Sequence, residues 1–314
     1  MAREAFSALM KAINSGKFVF TGEVATAKTN RLDAMISSAK SMKGCTVACN
    51  VTDNPRARAY ISSIVAAHVI QEKAGVEAIC QATVRDKNRL ALTSDLLGAS
   101  ALGIRNILTM SGDHTTFGDN PGAMPVYDID TAQYVHLVRK MVDEGTDLAG
   151  NRIDGEVKLH IGITGNTNSD PLEIELAKIE RKVELGAEFV QTQVAFDIEQ
   201  TKKFLGEISK YSIPVIVGIF PCKSLEVAEY LSKNVPGISV PKEFIEQLEK
   251  AEEIDDAGLQ RQRIDDINTD YFSSFIKELK TGTHAAGIHM MTIGYEKIVR
   301  VIIERVDPSL GRVQ

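Results

Sequence analysis

Eight short runs rich in Val, Ile and Phe recur along the chain. They lie at 17–24, 45–52, 77–84, 106–112, 157–164, 189–196, 214–220 and 287–292, and helical patterns fill the intervals between most of them. The segment 55–74 carries Ala, Ile and Val at helical spacing. The segment 170–186, "DPLEIELAKIERKVELG", opens on Asp-Pro and closes on Gly186, which are start and stop signals. Runs such as "PVIVGIF" are nearly continuously apolar rather than alternating. That is the mark of a parallel strand covered on both faces. Strand, helix, strand, repeated eight times, predicts an α/β fold: a (β/α)8 TIM barrel. A doubly wound open sheet is the competing arrangement. No glycine fingerprint of the dinucleotide type follows the first strand, which favours the barrel.

The 314 residues, 44% of them hydrophobic, suffice for one such barrel, and no domain boundary interrupts residues 1–314. The departures from a minimal barrel are long loops after strands four and seven and extra C-terminal helices. Residues 113–130 follow strand four, and a second irregular stretch spans 145–156. The stretch 234–286 is too long for a simple connection. It is expected to hold a short strand or turn at "GISVP" and a long charged helix over 255–280. The N-terminal "MAREAFSALMKAINSGK" is amphipathic, contains an acid and reads as a first helix rather than a signal peptide.

Composition removes several functions. A net charge of −6 gives no support for a nucleic-acid surface. No apolar run approaches the roughly 20 residues needed to cross a bilayer. A cytoplasmic protein is expected. Cys45, Cys49, Cys80 and Cys222 have no C-x-x-C spacing and no pair of histidines nearby. Reduced buried thiols are the expectation, not zinc or an iron–sulfur cluster.

In a barrel, chemistry sits at the carboxyl ends of the strands. The polar residues there form a short roster. Strand one, "KFVFTGEV", carries Glu23 at or near its end, and a lone buried carboxylate costs several kcal/mol unless it is partnered or used. Strand two ends with Asn50, Thr52, Asp53 and Asn54, where Asp53 before Asn-Pro reads better as a helix cap than as a catalyst. Strand three ends in "ATVRDKNR", where Arg85 and Asp86 can pair locally. Strand four ends in Ser111-Gly112-Asp113-His114, with Asp113 either a second carboxylate of the mouth or a turn residue, and His114 better read as a loop residue. Gln191 and Gln193 lie two apart, hence on one face of strand six. A buried amide pair pointing into a barrel must be satisfied by something. Two carboxylates at one mouth suggest acid–base chemistry.

These segments in this order resemble the methylenetetrahydrofolate reductase family, in particular its branch from anaerobic, one-carbon-fixing bacteria. The resemblance runs from Phe18 to about Val301. It is carried by "NVTDNPRA", "ATVRDKNRLALTSDLLGASALGI", "LTMSGDHTTFGDNPGAMPVYDIDT", "DLAGN", "ERKVELGAEFVQTQVAFD", "VGIFPCKS" and "GIHMMTIGYEKIV". It implies flavin-dependent reduction of 5,10-methylenetetrahydrofolate to 5-methyltetrahydrofolate. Glu23 stands where the family has its general acid. Asp113 stands where an aspartate lies near pterin and flavin, and Gln193, with Gln191 beside it, where a glutamine holds the pterin. Asn50, Thr52, Thr83, His114, Tyr127, Asp130, Arg181 and Lys182 fall in segments that line the flavin's ring, ribose and phosphates. The implied cofactor is FAD, with FMN as the variant. The implied partners are methylenetetrahydrofolate and either NAD(P)H or an electron-delivering iron–sulfur protein, and the implied assembly is an oligomer. The alternative on the same barrel is a flavin-free folate-binding methyltransferase or an accessory subunit of a one-carbon complex.

Overall fold

Every second residue of each strand faces the barrel axis, and these inward positions divide the interior into two zones. The computed structural model describes residues 3–235 and 237–309. Eight strands form it: β1 (Val19–Val24), β2 (Ala48–Val51), β3 (Ala78–Thr83), β4 (Asn106–Met110), β5 (His160–Gly165), β6 (Phe189–Val194), β7 (Val215–Ile219) and β8 (Gly287–Met290). Each pairs in parallel with the next, and β1 pairs in parallel with β8, which closes the barrel. The helices are α1 (Ala8–Asn14), α2 (Asp33–Met42), α3 (Ser63–Ala74), α4 (Arg89–Ala101), α5 (Thr131–Arg139), α6 (Leu172–Glu184), α7 (Ile198–Ile208), α8 (Leu225–Asn234), α9 (Lys242–Glu252), α10 (Ala257–Gly282) and α11 (Lys297–Val306). Outward strand residues such as Phe20, Val51, Ile107, Val217 and Ile288 pack under these helices.

At the amino ends of the strands the interior is apolar. Val19, Ala48, Ile79, Leu108, Phe189 and Ile216 meet Leu9, Met10 and Ile13 of α1, so the first helix plugs the barrel floor. Each such large side chain, fully buried, contributes roughly 1.5–3 kcal/mol. The plug is fastened by polar groups. Glu77 accepts from Ala8 N and Leu9 N at 2.6 and 3.0 Å. His160 Nε2 accepts from Phe6 N at 2.8 Å, while its Nδ1 lies 2.9 Å from Glu188, which also takes Arg139 at 3.1 Å. Phe189 reaches so far inward that a Cβ on Gly162 would stand 2.2 Å from its ring.

At the carboxyl ends the inward residues turn polar: Thr21 and Glu23, Asn50 and Thr52, Gln81 and Thr83, Gln191, and His289 are all buried. The change from apolar to polar along one strand face is what places the site.

The helix expected over 55–74 begins only at Ser63. Residues 55–57 make a single tight turn, and Asn54, Arg56 and Ala57 all have φ near +50°. The connection after β7 is longer than one helix: α8 and α9 form an added pair before the long α10, and "GISVP" contributes a loop rather than a strand. Lys223, just ahead of α8, donates to Ile293 O at 3.4 Å, and the Tyr230 ring of α8 lies 4.8 Å from the Arg56 guanidinium. These contacts tie the added helices to the loops after β8 and β2, at the mouth. Among the described residues no helix is long and apolar enough to cross a membrane.

Candidate active site

Glu23 is 8% exposed at the upper inner wall of β1, level with Asn50 in the β1–β2 register. Asn50 Nδ2 donates to Gln191 Oε1 at 3.1 Å. Beside Glu23 on the other flank stands His289, fully buried, with Nε2 at 3.7 Å from Glu23 Oε2. Two polar atoms in this pit, Asn50 Oδ1 and His289 Nε2, are buried without a hydrogen-bond partner among the described residues. A buried orphan polar atom is costly, and its place is a functional site or a missing guest.

Asp113 is exposed on the rim, in the loop after β4, and its Oδ2 accepts from Arg56 N at 3.0 Å. That bond holds the left-handed loop after β2 against the loop after β4. Arg85, 1% exposed, braces the same loops. It forks onto Asp86 at 2.7 Å through both Nε and Nη2, and donates to the carbonyls of Asp113 and Asn54. The Asp86 hydrogen bond raises the guanidinium's affinity for its proton further.

Some expected site residues are occupied with structure. Asp53 caps no helix; its Oδ2 accepts from both Thr83 N and Thr83 Oγ1, at 2.9 and 3.0 Å, joining the ends of β2 and β3. Thr52 binds Thr26, fixing the loop after β1. His114 is exposed, with Nδ1 2.9 Å from Thr116 Oγ1. The glutamine pair of β6 is split. Gln191 is 5% exposed, but Gln193 is exposed to solvent because the β6–β7 register shifts between Gln191 and Val194. Thr192 Oγ1 accepts from Gly218 N in that irregularity.

A second group lies between α5 and α6. Asp130 caps α5 by accepting from Gln133 N, and Arg181 Nη2 is 3.9 Å from Asp130 Oδ2. Lys182 is half-buried, and burial lowers its pKa from 10.5. Among the described residues it has no ion-pair partner within 4 Å. Both basic residues occupy the last turn of α6, and Arg181 extends toward Asp130 at the start of α5. Tyr127, 40% exposed with φ at +42°, lies in the loop leading into α5. The structure therefore gathers Glu23, Asn50 and Gln191 in the pit, sets Asp113 and Gln193 at its rim, and keeps Asp130, Arg181 and Lys182 as a separate charged group.

The sequence model described as methylenetetrahydrofolate reductase matches residues 8–307. The chain belongs to the methylenetetrahydrofolate reductase family. A probable methylenetetrahydrofolate reductase (NADPH) of Caenorhabditis elegans is 25% identical over 256 residues, covering 80% of this chain and 34% of that protein. Methylenetetrahydrofolate reductase 2 of Schizosaccharomyces pombe is 25% identical over 252 residues, 77% of this chain and 37% of that protein. The chain thus spans about a third of the length of the curated relatives it matches. Among solved structures, an uncharacterized protein from Clostridium thermocellum that binds two copies of 5-methyl-5,6,7,8-tetrahydrofolic acid superposes with a TM-score of 0.62 at 13% identity, covering 96% of this chain and 99% of that one. DmoA from Hyphomicrobium sulfonivorans gives a TM-score of 0.59 at 12% identity, over 95% and 89%. At those identities the likeness is one of fold.

For a methylenetetrahydrofolate reductase barrel, two inward residues of this pit had gone unnoticed in the sequence: His289 and its neighbour Thr21. The available signal was a histidine flanked by Ile288 and Met290 in the last strand, on the face that alternation turns inward. Burial holds the thiols of Cys49, Cys80 and Cys222 protonated, each pushed up to about 12. Among the described residues no cluster of His, Cys, Asp and Glu could hold a metal.

Proposed function

We propose that this pit reduces 5,10-methylenetetrahydrofolate to 5-methyltetrahydrofolate with the aid of a bound flavin, and that Glu23 is the general acid. The observation that carries the reading is a buried carboxyl at the carboxyl end of β1, facing a polar pit in a chain of the methylenetetrahydrofolate reductase family.

The residues present fit a flavin. Asn50 Oδ1 is a buried acceptor in want of a donor, and a flavin ring edge offers an N–H. Lys182 is a half-buried cation without an ion-pair partner among the described residues, flanked by Arg181, and would hold a phosphate. Asp130 starts α5 and Tyr127 lies in the loop before it, beside that pair, while Thr83 stands at the end of β3 and His114 in the loop after β4. FAD is the expected form; FMN carries one phosphate to the same cations. When bound, the flavin supplies the hydride.

The protein's own part is to bind, orient, exclude water and deliver a proton. Glu23 protonates the folate nitrogen as the methylene bridge opens. Asp113, held on the rim by Arg56 N, places a negative charge where the folate iminium is positive. Gln193, exposed at the mouth, presents its amide to the pterin, and Gln191 supports it from below. Electrons arrive from NAD(P)H or from an electron-delivering iron–sulfur protein.

The test is spectral and kinetic. The purified protein, reconstituted with flavin, should absorb near about 450 nm, and the mass of the released cofactor separates FAD from FMN. Glu23→Gln should lower turnover on the order of 10²–10⁴-fold. A colourless protein that takes up no flavin would favour the flavin-free methyltransferase instead, and unchanged turnover in Glu23→Gln would leave the acid as structure.

A further inference from the structure

His289 and Thr21 are register partners on β8 and β1, and both face the barrel interior. Thr21 and Glu23 are two residues apart on one strand, so the imidazole lies alongside both. His289 Nδ1 is 3.0 Å from Thr21 Oγ1. Its Nε2 makes no hydrogen bond among the described residues and stands 3.7 Å from Glu23 Oε2. Among the described residues Glu23 is the charged group within ion-pair distance of this ring.

Thr21 decides which ring nitrogen carries the hydrogen. Its hydroxyl has one proton and two acceptors in reach, His289 Nδ1 at 3.0 Å and Ile288 O at 3.5 Å. We assign the proton to the shorter contact; the other arrangement, with Nδ1–H donating to Oγ1 and Oγ1 donating to Ile288 O, would make Nε2 an acceptor. In the assigned arrangement Nδ1 is an acceptor, so the ring hydrogen sits on Nε2, aimed at Glu23 Oε2.

We propose that His289 is the positioning residue for Glu23: its Nε2–H grips Oε2, so that the proton Glu23 delivers is carried on Oε1, facing the mouth. The proposal rests on the reading of Glu23 as the general acid. A side-chain movement of under about 1 Å brings the 3.7 Å separation into hydrogen-bond range, and catalytic hydrogen bonds commonly tighten only when substrate arrives. In the step itself the Oε1–H bond of Glu23 breaks and its proton passes to the folate nitrogen. The negative charge left on the carboxylate is held by the Nε2–H donor, and His289 neither gains nor loses a proton. A neutral donor suits this better than an imidazolium, which would strip the carboxyl of its proton before the folate is in place.

The experiment uses the flavin-loaded protein and four variants: His289→Leu, His289→Gln, Thr21→Val and Glu23→Gln. His289→Leu should lower kcat on the order of 100-fold with KM unchanged, the scale of a misplaced catalytic group. The alkaline limb of its pH profile should move upward, because the carboxylate has lost its donor. His289→Gln, whose amide N–H can stand in for Nε2–H, should retain activity to within about tenfold. Thr21→Val should move the profile in the same direction as His289→Leu, by less. In a Glu23→Gln background, His289→Leu should cost nothing more. An equal cost in both backgrounds, or an alkaline limb that stays put in His289→Leu, overturns the proposal. Should Glu23→Gln turn over normally, the functional reading fails instead. Positioning is then judged by the infrared carboxyl stretch of Glu23, titrated in wild type and His289→Leu: a shift supports it and identical curves overturn it. If His289→Leu does not fold, the pH profile and the infrared titration of Thr21→Val decide by the same criteria.

Discussion

Asn50 on β2 donates to Gln191 on β6 at 3.1 Å, and strands four apart in a ring of eight face each other across the axis. One amide bridge therefore spans the whole barrel and forms the floor of the pit. Cutting it from one side leaves Asn50 with neither its donor nor its acceptor matched, since Oδ1 already lacks a partner. Gln191→Leu is expected to cost about 1–3 kcal/mol. The double variant Asn50→Leu/Gln191→Leu should recover part of that, because both polar groups leave together. Denaturant midpoints of the two singles and the double measure the coupling, and simple additivity would mean the bridge contributes none.

Phe189 forbids any side chain at Gly162. The added methyl of Gly162→Ala would meet the fully buried ring at 2.2 Å, and the packed floor gives the ring nowhere to go. Overpacking of this kind costs about 1–3 kcal/mol. Thermal melting should show the loss, and Phe189→Leu in the same chain should relieve it.

Glu188 separates stability from catalysis. It is 7% exposed and takes Arg139, His160 and Ile161 N at the amino end of the barrel, opposite the pit. Glu188→Ala leaves the buried Arg139 guanidinium with Asp143 as its one carboxylate and takes the acceptor from His160 and Ile161 N, an expected loss of about 1–3 kcal/mol. At temperatures where the variant remains folded, kcat should match wild type. A fall in kcat there would mean that the two ends of the barrel are coupled.

Lys182 carries a pH signature. Burial lowers its pKa below the ordinary 10.5, with Glu175 and Asp130 pulling back and Lys178 adding to the fall. Between the lowered value and 10.5 the unfolded chain holds the proton and the folded one does not, so through that window stability rises with pH. A phosphate docked on the amine reverses the preference and draws a proton in. Flavin binding at mildly alkaline pH should therefore be accompanied by proton uptake, read by calorimetry in buffers of different ionisation enthalpy. Lys182→Met should abolish that uptake.

The eight strands were legible because their apolar runs are short and separated by helical patterns, and Glu23 stood out as an acid within such a run. What was not legible depends on residues far apart in the chain. The late start of α3 follows from a loop pinned by Asp113, 57 residues beyond Arg56. Gln193 stands exposed at the mouth where the β6–β7 register slips and the Thr192 hydroxyl takes Gly218 N. His289 meets Thr21 only when the last strand closes on the first, across 268 positions. Alternation along one strand predicts which way a side chain points, but not which neighbour it finds when the ring shuts.

The first helix has a consequence for traffic. With Leu9, Met10 and Ile13 filling one end, the barrel is a well and not a tunnel. A molecule resting on the Asn50–Gln191 bridge must leave by the way it entered, so two reactants that need the same resting place have to take turns.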